Sequence, residues 1–538
     1  VSDDEIQDLF QSAEEWSPDS NAAVGTGAGA NPDPAADPSG PGAPAGQNAQ
    51  PTTGTGANSL PPLQRGSDVE IAEAVAQVLR QDRGEVIFCE GHFWYYVGSH
   101  WRPIEDHVLR REVHRYDGAL VPGARSPVPV KLNKPRVDSI LNEMGAILAR
   151  PNFFADAPVG INCVSGFIAF AADGTPSVLP HHADHRCRHV LNASFTDPLV
   201  LDAEDIFALN KICGGLLGRL LDGVFLDDPD AQEKRQLLAE IAGAAALGYG
   251  TKLRQPKAVI LEGKTAENGK SQVLDLFRGL LPADAVASIP AAKMGDERFV
   301  VGLVGKHLNA SDELSGAEAI ASDFFKAVVT GEPVTGRDVY RSAVTFRSLA
   351  QNVFATNTLP SFKGGMDRGV KRRLLVITFE RTIPEEERIE NIGLRIAQEE
   401  ADVLLTWAVA GASRLIRQRG FTVPPSSKIA LREWLLSADP VLAWIETCTE
   451  VVDPNSPDWE KASIKSKKAH AAFVSWATSE GFRENMLPAI SGFVQRLRAN
   501  RPSIKVKHER VGNFLKGIRI ISGEGEADVT ELFSGRTQ

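Results

Sequence analysis

The stretch PKAVILEGKTAENGKSQVLDLFRGLL (256–281) decides the fold class. Residues 258–261 are an apolar run of strand length. A loop bounded by Gly263 and Gly269 follows, and an amphipathic helical pattern starts near Lys270. A strand, a glycine-bounded loop and a helix together let loop amides and a helix N-terminus surround a phosphate. In the NGKS tail (Asn268, Gly269, Lys270, Ser271), Lys270 reaches the β- and γ-phosphates as a point charge, and Ser271 holds Mg²⁺ through its hydroxyl. The expected ligands are therefore ATP and Mg²⁺. The usual pattern, GxxxxGK[ST], sets four residues between the glycines. Here five stand between Gly263 and Gly269, so the entry turn is one residue longer.

The partners of such a loop lie downstream. Residues 298–303 read as an apolar strand, followed by GKHLNASDEL (305–314). Asp312 is placed to hold the metal, directly or through water, and Glu313 to polarise the attacking water, with the two roles open to exchange. NVFATN (352–357) reads as a strand ending at Asn357. Its amide there bonds the γ-phosphate or the attacking water, or simply forms the turn before Leu359. In DRGVKRRLLVITF (367–379), Arg368, Lys371, Arg372 and Arg373 cluster before another apolar strand. An exposed guanidinium at that place enters a neighbouring subunit's site, contacts DNA phosphates, or does both. Residues 331–344 read as a hairpin or paired turns. Lys326, Arg337 and Arg341 put positive charge there, fit to grip a nucleic-acid backbone inside a ring.

The rest of the chain frames this segment. In 538 residues, 43% hydrophobic and 24% charged, the proportions are globular and exclude a fibrous or wholly disordered chain. A net charge of −11 excludes a uniformly basic coat but not a local basic patch. Five cysteines without a CxxC pair point to a reducing, cytoplasmic setting, and no membrane span or secretory signal is expected. Residues 1–64 carry nine acidic and no basic side chains, and residues 21–64 hold eight Gly and eight Pro. The expectation for 1–67 is a disordered tail. Ile6, Leu9, Phe10 and Trp16 within it form either a short partner-docking helix or a frayed acidic end. Residues 68–195 read as a mixed α/β domain. Its Trp94, Tyr95, Tyr96 and Trp101 either stack on bases or form a small core. His181, His182, His185, Cys187 and His189 match zinc ligands by type but sit in a polar, turn-like link.

Residues 196–250 and 396–458 read as helical, on either side of the 251–395 segment. Residues 459–525 form a basic region before a short tail, 526–538. Within it, 461–519 carries thirteen Lys/Arg against three Asp/Glu. Helical apolar faces and two strands joined by a turn are expected there. Lys465, Lys467, Lys468, Arg498, Lys505 and Lys507 are the exposed candidates for DNA backbone contact.

The blocks NGKS (268–271), LVGKHLNASDEL (303–314), FKAVVTGEPVTGR (325–337), FATN with LP (354–360) and DRGVKRRLLVITF (367–379), in that order, resemble the superfamily 3 helicases of phage and plasmid replication. More narrowly, they resemble the poxvirus D5-type, or phage P4-type, primase-helicase family, over roughly 85–520. The resemblance implies an N-terminal D5-type α/β region, a helical collar, an AAA+-like P-loop motor and a C-terminal winged-helix region. It also implies a homo-hexameric ring moving 3′→5′ on single-stranded DNA and opening forked DNA. It gives Lys270 and Ser271 the Walker A role, Asp312 and Glu313 the Walker B role, and Asn357 that of sensor 1. The arginine finger falls to Arg372, with Arg368 and Arg373 as rivals, and Lys326 and Arg337 match the basic positions before sensor 1. Larger members carry a primase–polymerase domain upstream. Residues 1–67 have no composition for one, so a separately encoded primase, polymerase or loader is the expected partner of the tail. Competing readings are a nucleic-acid P-loop motor with another task (packaging, RNA unwinding, initiation) and a DNA-binding scaffold with a degenerate ATP site.

Overall fold

The computed structural model describes residues 60–195, 215–312, 319–337, 343–363, 366–482, 484 and 487–521. The acidic stretch with Ile6, Leu9, Phe10 and Trp16, the start of the helical region at 196–214, Glu313, Arg341 and the 526–538 tail lie outside the described residues. The chain divides into two compact units, the first ending at Pro158 and also including His181–Arg188, the second holding the rest.

In the first unit, the helix Asp68–Arg83 starts where Ser67 Oγ accepts the Glu70 amide. The Glu70 carboxylate reaches back to the amides of Arg65 and Gly66 at 2.8 and 2.6 Å, a reciprocal cap that fixes the first turn. Ile71, Val75 and Leu79 form its buried stripe. An antiparallel sheet follows, Val86–Cys89, His92–Tyr96 and Trp101–Pro103, turning at Glu90 and Gly91, both at positive φ. Of the four aromatic candidates, Trp94 and Trp101 are core, packed with Ile87, Cys89 and Phe154. Tyr95 and Tyr96 are half-buried. Arg188 stacks 3.9 Å from the Phe154 ring centre and pairs with Glu90. Among the described residues, no three His, Cys, Asp or Glu side chains converge as a metal site requires. Burial holds the His185 imidazole down to about 4 and pushes the Cys187 thiol up to about 12. His189 belongs to the second unit, its Nε2 2.9 Å from the Gly305 carbonyl oxygen.

The expected 68–195 domain is thereby divided. The antiparallel strands Gly160–Cys163, Gly166–Phe170 and Pro176–Leu179 belong to the second unit. The reason is a turn. Gly174, at φ +83, lets the strand connection lie on the backbone of Ser413, and Arg417 Nε donates to the Asp173 carbonyl oxygen. No side chain other than glycine fits that approach.

The second unit builds a helical layer first. Helix Leu216–Val224 buries Leu217, Leu220, Leu221 and Val224. Helix Ala231–Leu247 pairs with Ala401–Gln418 through small residues, with Gly411 against the Ala239 carbonyl and Gly243 against Ala412. Lys234, fully buried in the first of this pair, donates to Asp228 at 2.6 Å and to Thr378 Oγ1 at 2.9 Å, with Asp230 3.5 Å away. Burial alone would raise the Asp230 carboxyl, yet hydrogen bonds with Asp228 and Ser426, together with Lys234, hold it down to about 2. Lys234→Met deprives Asp228, Asp230 and Thr378 of their donor, and the expected loss is about 3 kcal/mol. It reads out as a lower urea midpoint at unchanged slope. An unchanged midpoint would show the ion pair to be idle.

A five-stranded parallel sheet lies against these helices. In spatial order it runs Val286–Ala287, Leu308–Ser311, Gln351–Thr356, Ala258–Glu262, Leu374–Thr378. The apolar run 258–261 thus sits between two neighbours, which is why it shows no polar alternation. Residues 298–303 are not the strand expected of them. Asp296 Oδ1 caps a helical turn at the Arg298 amide, and Glu297–Val300 and Val301–Leu303 are helical. Val300 and Leu303 are buried at a spacing of three while Phe299 is 44% exposed, a helical rather than a strand period.

The C-terminal module begins earlier than residue 459. Helix Pro440–Cys448 supplies Val441, Trp444 and Ile445 to the core formed by helices Ser466–Ser479 and Ile490–Asn500. Strand Thr449–Val451 pairs with Ile518–Ile520. Strands Ser463–Lys465, Gly512–Lys516 and Lys505–Glu509, in that order, make an antiparallel sheet whose last two form a hairpin. Asp439 Oδ1 accepts the Val441 and Leu442 amides ahead of Pro440, a start signal that places the boundary there.

Candidate functional site

Because the sheet is parallel, the C-terminal ends of all its strands share one edge, where ligands of such sheets bind. Strand Ala258–Glu262 runs into the loop, and helix Lys270–Leu280 leaves it. Gly269, at φ +85, makes the turn into the helix, and a Cβ there would lie 2.5 Å from Val224 Cγ1. Lys270 is 7% exposed. Its Nζ donates to Asn268 Oδ1 at 2.7 Å and to the Gly263 carbonyl oxygen at 3.3 Å. A Cβ on Gly263 would stand 2.6 Å from that nitrogen and closer still to Asn268 Nδ2, so the loop closes around the ammonium and a larger residue there would displace both side-chain ends. Asn268 Nδ2 donates to the Thr265 carbonyl oxygen, which stiffens the curve. Burial lowers the Lys270 pKa, partly offset by Glu262. A phosphate supplies the missing negative charge, so these residues fit a nucleotide's phosphates.

Within this loop Glu267 stands in the left-handed region, at φ +63. A non-glycine residue there costs about 1–3 kcal/mol and has to be held by its surroundings.

Ser271 is exposed in the first helical turn. Asp312 directly follows strand Leu308–Ser311, with its side chain 48% exposed, and its Oδ2 accepts from Arg278 Nη2 at 3.0 Å. The Ser271 hydroxyl and the Asp312 carboxylate are hard oxygen donors of the type Mg²⁺ takes. Arg278 also donates to the Ala310 carbonyl oxygen and to Asp275, tying the end of strand Leu308–Ser311 to the helix. Composition and spacing gave no signal for Arg278. Asn357 is exposed just past Thr356, whose Oγ1 donates to Thr358 O and accepts the Thr358 amide, shaping the turn. The Gly263 amide donates to Thr356 O at 3.2 Å. The loop entrance and Asn357 are thus next to each other.

A family of unknown function, DUF5906, matches residues 261–373. That span runs from within strand Ala258–Glu262 to the residue before strand Leu374–Thr378. No curated protein matches the chain. Solved structures of the NrS-1 C-terminal region are similar at low identity. One A-form apo structure of that region is 14% identical, covers 84% of this chain and 98% of its own, and has a TM-score of 0.40. A second, of residues 305–718, is 13% identical, covers 85% and 100%, and has a TM-score of 0.37.

The arginines lie at the other edge of the sheet. Arg372 precedes strand Leu374–Thr378, is exposed, and its carbonyl oxygen accepts from Lys257 Nζ. Five residues of strand separate it from the phosphate-loop edge, about 16 Å. Arg368 is also exposed, whereas Arg373 is 7% exposed and donates to the Gly369 carbonyl oxygen. Lys371 is half-buried, its Nζ 3.5 Å from Asn500 Oδ1.

Residues Pro333–Gly336 and Val344–Arg347 pair as an antiparallel hairpin whose tip, 338–342, is outside the described residues. Arg337 is exposed at its shoulder. Lys326 is not a bare cation. It pairs with Asp323 at 2.9 Å and Asp367 at 3.1 Å, and those bonds raise its pKa. In the C-terminal module Lys465, Lys467, Lys468, Lys505 and Lys507 are all exposed. Lys505 and Arg498 border a groove of about 490 Å³ beside helix Ile490–Asn500. No helix among the described residues is long and apolar enough to cross a membrane.

Proposed function

We propose that the chain is an ATP-dependent replicative DNA helicase. In this reading it works as a hexameric ring that couples ATP hydrolysis to 3′→5′ movement on single-stranded DNA and opens forked duplex. One observation carries this reading: Lys270 is enclosed by a glycine-bounded loop at the sheet edge that Asp312 and Asn357 share. The parallel sheet supports it, because Lys270, Asp312 and Asn357 all follow the C-terminal ends of its strands, the edge where ligands of such sheets bind. Arg372, at the opposite edge, is suited to serve a neighbouring subunit's site rather than its own. The basic C-terminal module, read as winged-helix-like, would hold duplex or single-stranded backbone. The deciding experiment measures ATP hydrolysis with and without single-stranded DNA, and strand separation on a forked duplex. DNA-stimulated hydrolysis together with unwinding is expected. Hydrolysis without unwinding would favour a P-loop motor with another task, and neither activity would leave a DNA-binding scaffold.

The module yields its own prediction. Truncation at 458 would cut between Trp444 and its core partners Phe473 and Phe493, so charge neutralisation is the cleaner test. Changing Lys465, Lys467, Lys468, Lys505 and Lys507 to Gln should weaken DNA binding by about tenfold or more. It should also lower the slope of log affinity against log salt by roughly one for each DNA phosphate left without its lysine. ATP hydrolysis without DNA should be unchanged. An unaltered slope would leave the region as a packing or partner surface.

A further inference from the structure

After strand Leu374–Thr378 the chain turns back over the 263–269 loop. The Phe379 amide donates to the Glu262 carbonyl oxygen at 2.7 Å, and Thr382 Oγ1 meets Thr265 Oγ1 at 3.1 Å. The Ile383 amide donates to the carbonyl oxygen of Glu267 at 2.9 Å. Arg388 completes a small ring of bonds. Its Nη2 donates to Glu267 Oε2 at 2.6 Å and its Nε to the Ile383 carbonyl oxygen at 2.8 Å. One guanidinium therefore holds both the side chain of Glu267 and, through the Ile383 carbonyl oxygen, the residue whose amide bonds the Glu267 backbone. Glu267 is the loop's left-handed, non-glycine residue, and it precedes Asn268, whose Oδ1 receives Lys270.

We propose that Arg388 is a positioning residue of the candidate nucleotide site, keeping the lengthened phosphate loop in its binding shape through Glu267. This rests on reading 263–271 as a nucleotide phosphate site. Arg388 acts through Glu267 and touches no phosphate itself. Without it, Glu267 relaxes out of the left-handed region and Asn268 no longer holds Lys270 at the mouth of the loop. The free loop then has to be ordered on binding, which raises KM and leaves the chemical step alone.

The test compares wild type, Arg388→Ala, Arg388→Lys and Lys270→Ala, and repeats Arg388→Ala in a Glu267→Gly background. Binding is read with a fluorescent ATP analogue carrying its dye on the ribose, and KM and kcat from phosphate release. Arg388→Ala should weaken analogue binding and raise KM by about three- to tenfold, since its pair with Glu267 is part-exposed and is joined by a second bond to the Ile383 carbonyl oxygen, with kcat within about twofold. Arg388→Lys should recover most of that loss. Glycine takes the left-handed conformation freely, so in the Glu267→Gly background Arg388→Ala should change nothing further. Binding that Lys270→Ala destroys but Arg388→Ala leaves intact overturns the proposal and spares the nucleotide reading. A loss of that size that persists in the Glu267→Gly background, or one falling on kcat, also overturns it. A wild-type chain that binds no analogue overturns the nucleotide reading and the proposal together.

Discussion

Lys270→Ala should abolish ATP hydrolysis, lowering kcat/KM by about 10³ or more, which corresponds to at least about 4 kcal/mol of lost transition-state stabilisation. The loop encloses this ammonium and fixes it through Asn268 Oδ1 and the Gly263 carbonyl oxygen before any substrate arrives. A preorganised, buried charge needs little reorganisation when the phosphate's charge develops. Water filling the alanine cavity cannot replace it. The fold should survive, because Lys270 holds up only its own loop, so an unshifted melting curve is the control. A phosphate-release assay decides the matter. Turnover at the wild-type rate would show that the loop is not the site.

Arg372→Ala should lower kcat by about 10³ while nucleotide affinity changes little, the pattern of an arginine supplied from a neighbouring subunit. Arg372 leads into the same strand whose far end, Thr378, lies level with Glu262 at the loop entrance, so it cannot bend back to its own phosphates. Mixing Arg372→Ala with Lys270→Ala protein is the sharper assay. Some interfaces then join an intact loop to an intact arginine, and partial activity should return. Arg373→Ala should instead act on stability, since its guanidinium is buried against Gly369. A monomer by light scattering in ATP, magnesium and DNA together would sink the ring.

Much of this architecture is legible in sequence because its signals are local. The 258–261 apolar run, the glycine-bounded loop and the helix start at Lys270 are read from one short window and match the structure within a residue. The hairpin or paired turns read at 331–344 is a hairpin whose second strand runs three residues further, to Arg347, and the two strands joined by a turn in the basic region are Lys505–Glu509 and Gly512–Lys516. The misses have one cause, a local pattern settled by distant neighbours. FVVGL suits strand or helix alike, and only the Asp296 cap and the burial of Val300 and Leu303 decide it. The 160–179 strands carry no mark of which core they will join. Helix Pro440–Cys448 continues a helical stretch, and nothing but its packing on Phe473 and Phe493 assigns it to the C-terminal module. In the site, Lys270 and Ser271 are readable from spacing. Arg278 and Arg388 are not, because each is defined by a partner dozens of residues away.

The strand order also sets a schedule for biosynthesis. The phosphate-loop strand is the first of the five to leave the ribosome, yet its two neighbours, Gln351–Thr356 and Leu374–Thr378, are the last. About ninety residues separate its end from the start of the earlier of those partners, roughly 5–20 s of translation. Throughout that interval Ala258, Val259, Ile260 and Leu261 have no edge to pair with. The nascent chain therefore carries a sticky, unsheltered strand until its final neighbours emerge, and recombinant yield should respond to slower synthesis at low temperature and to co-expressed chaperones.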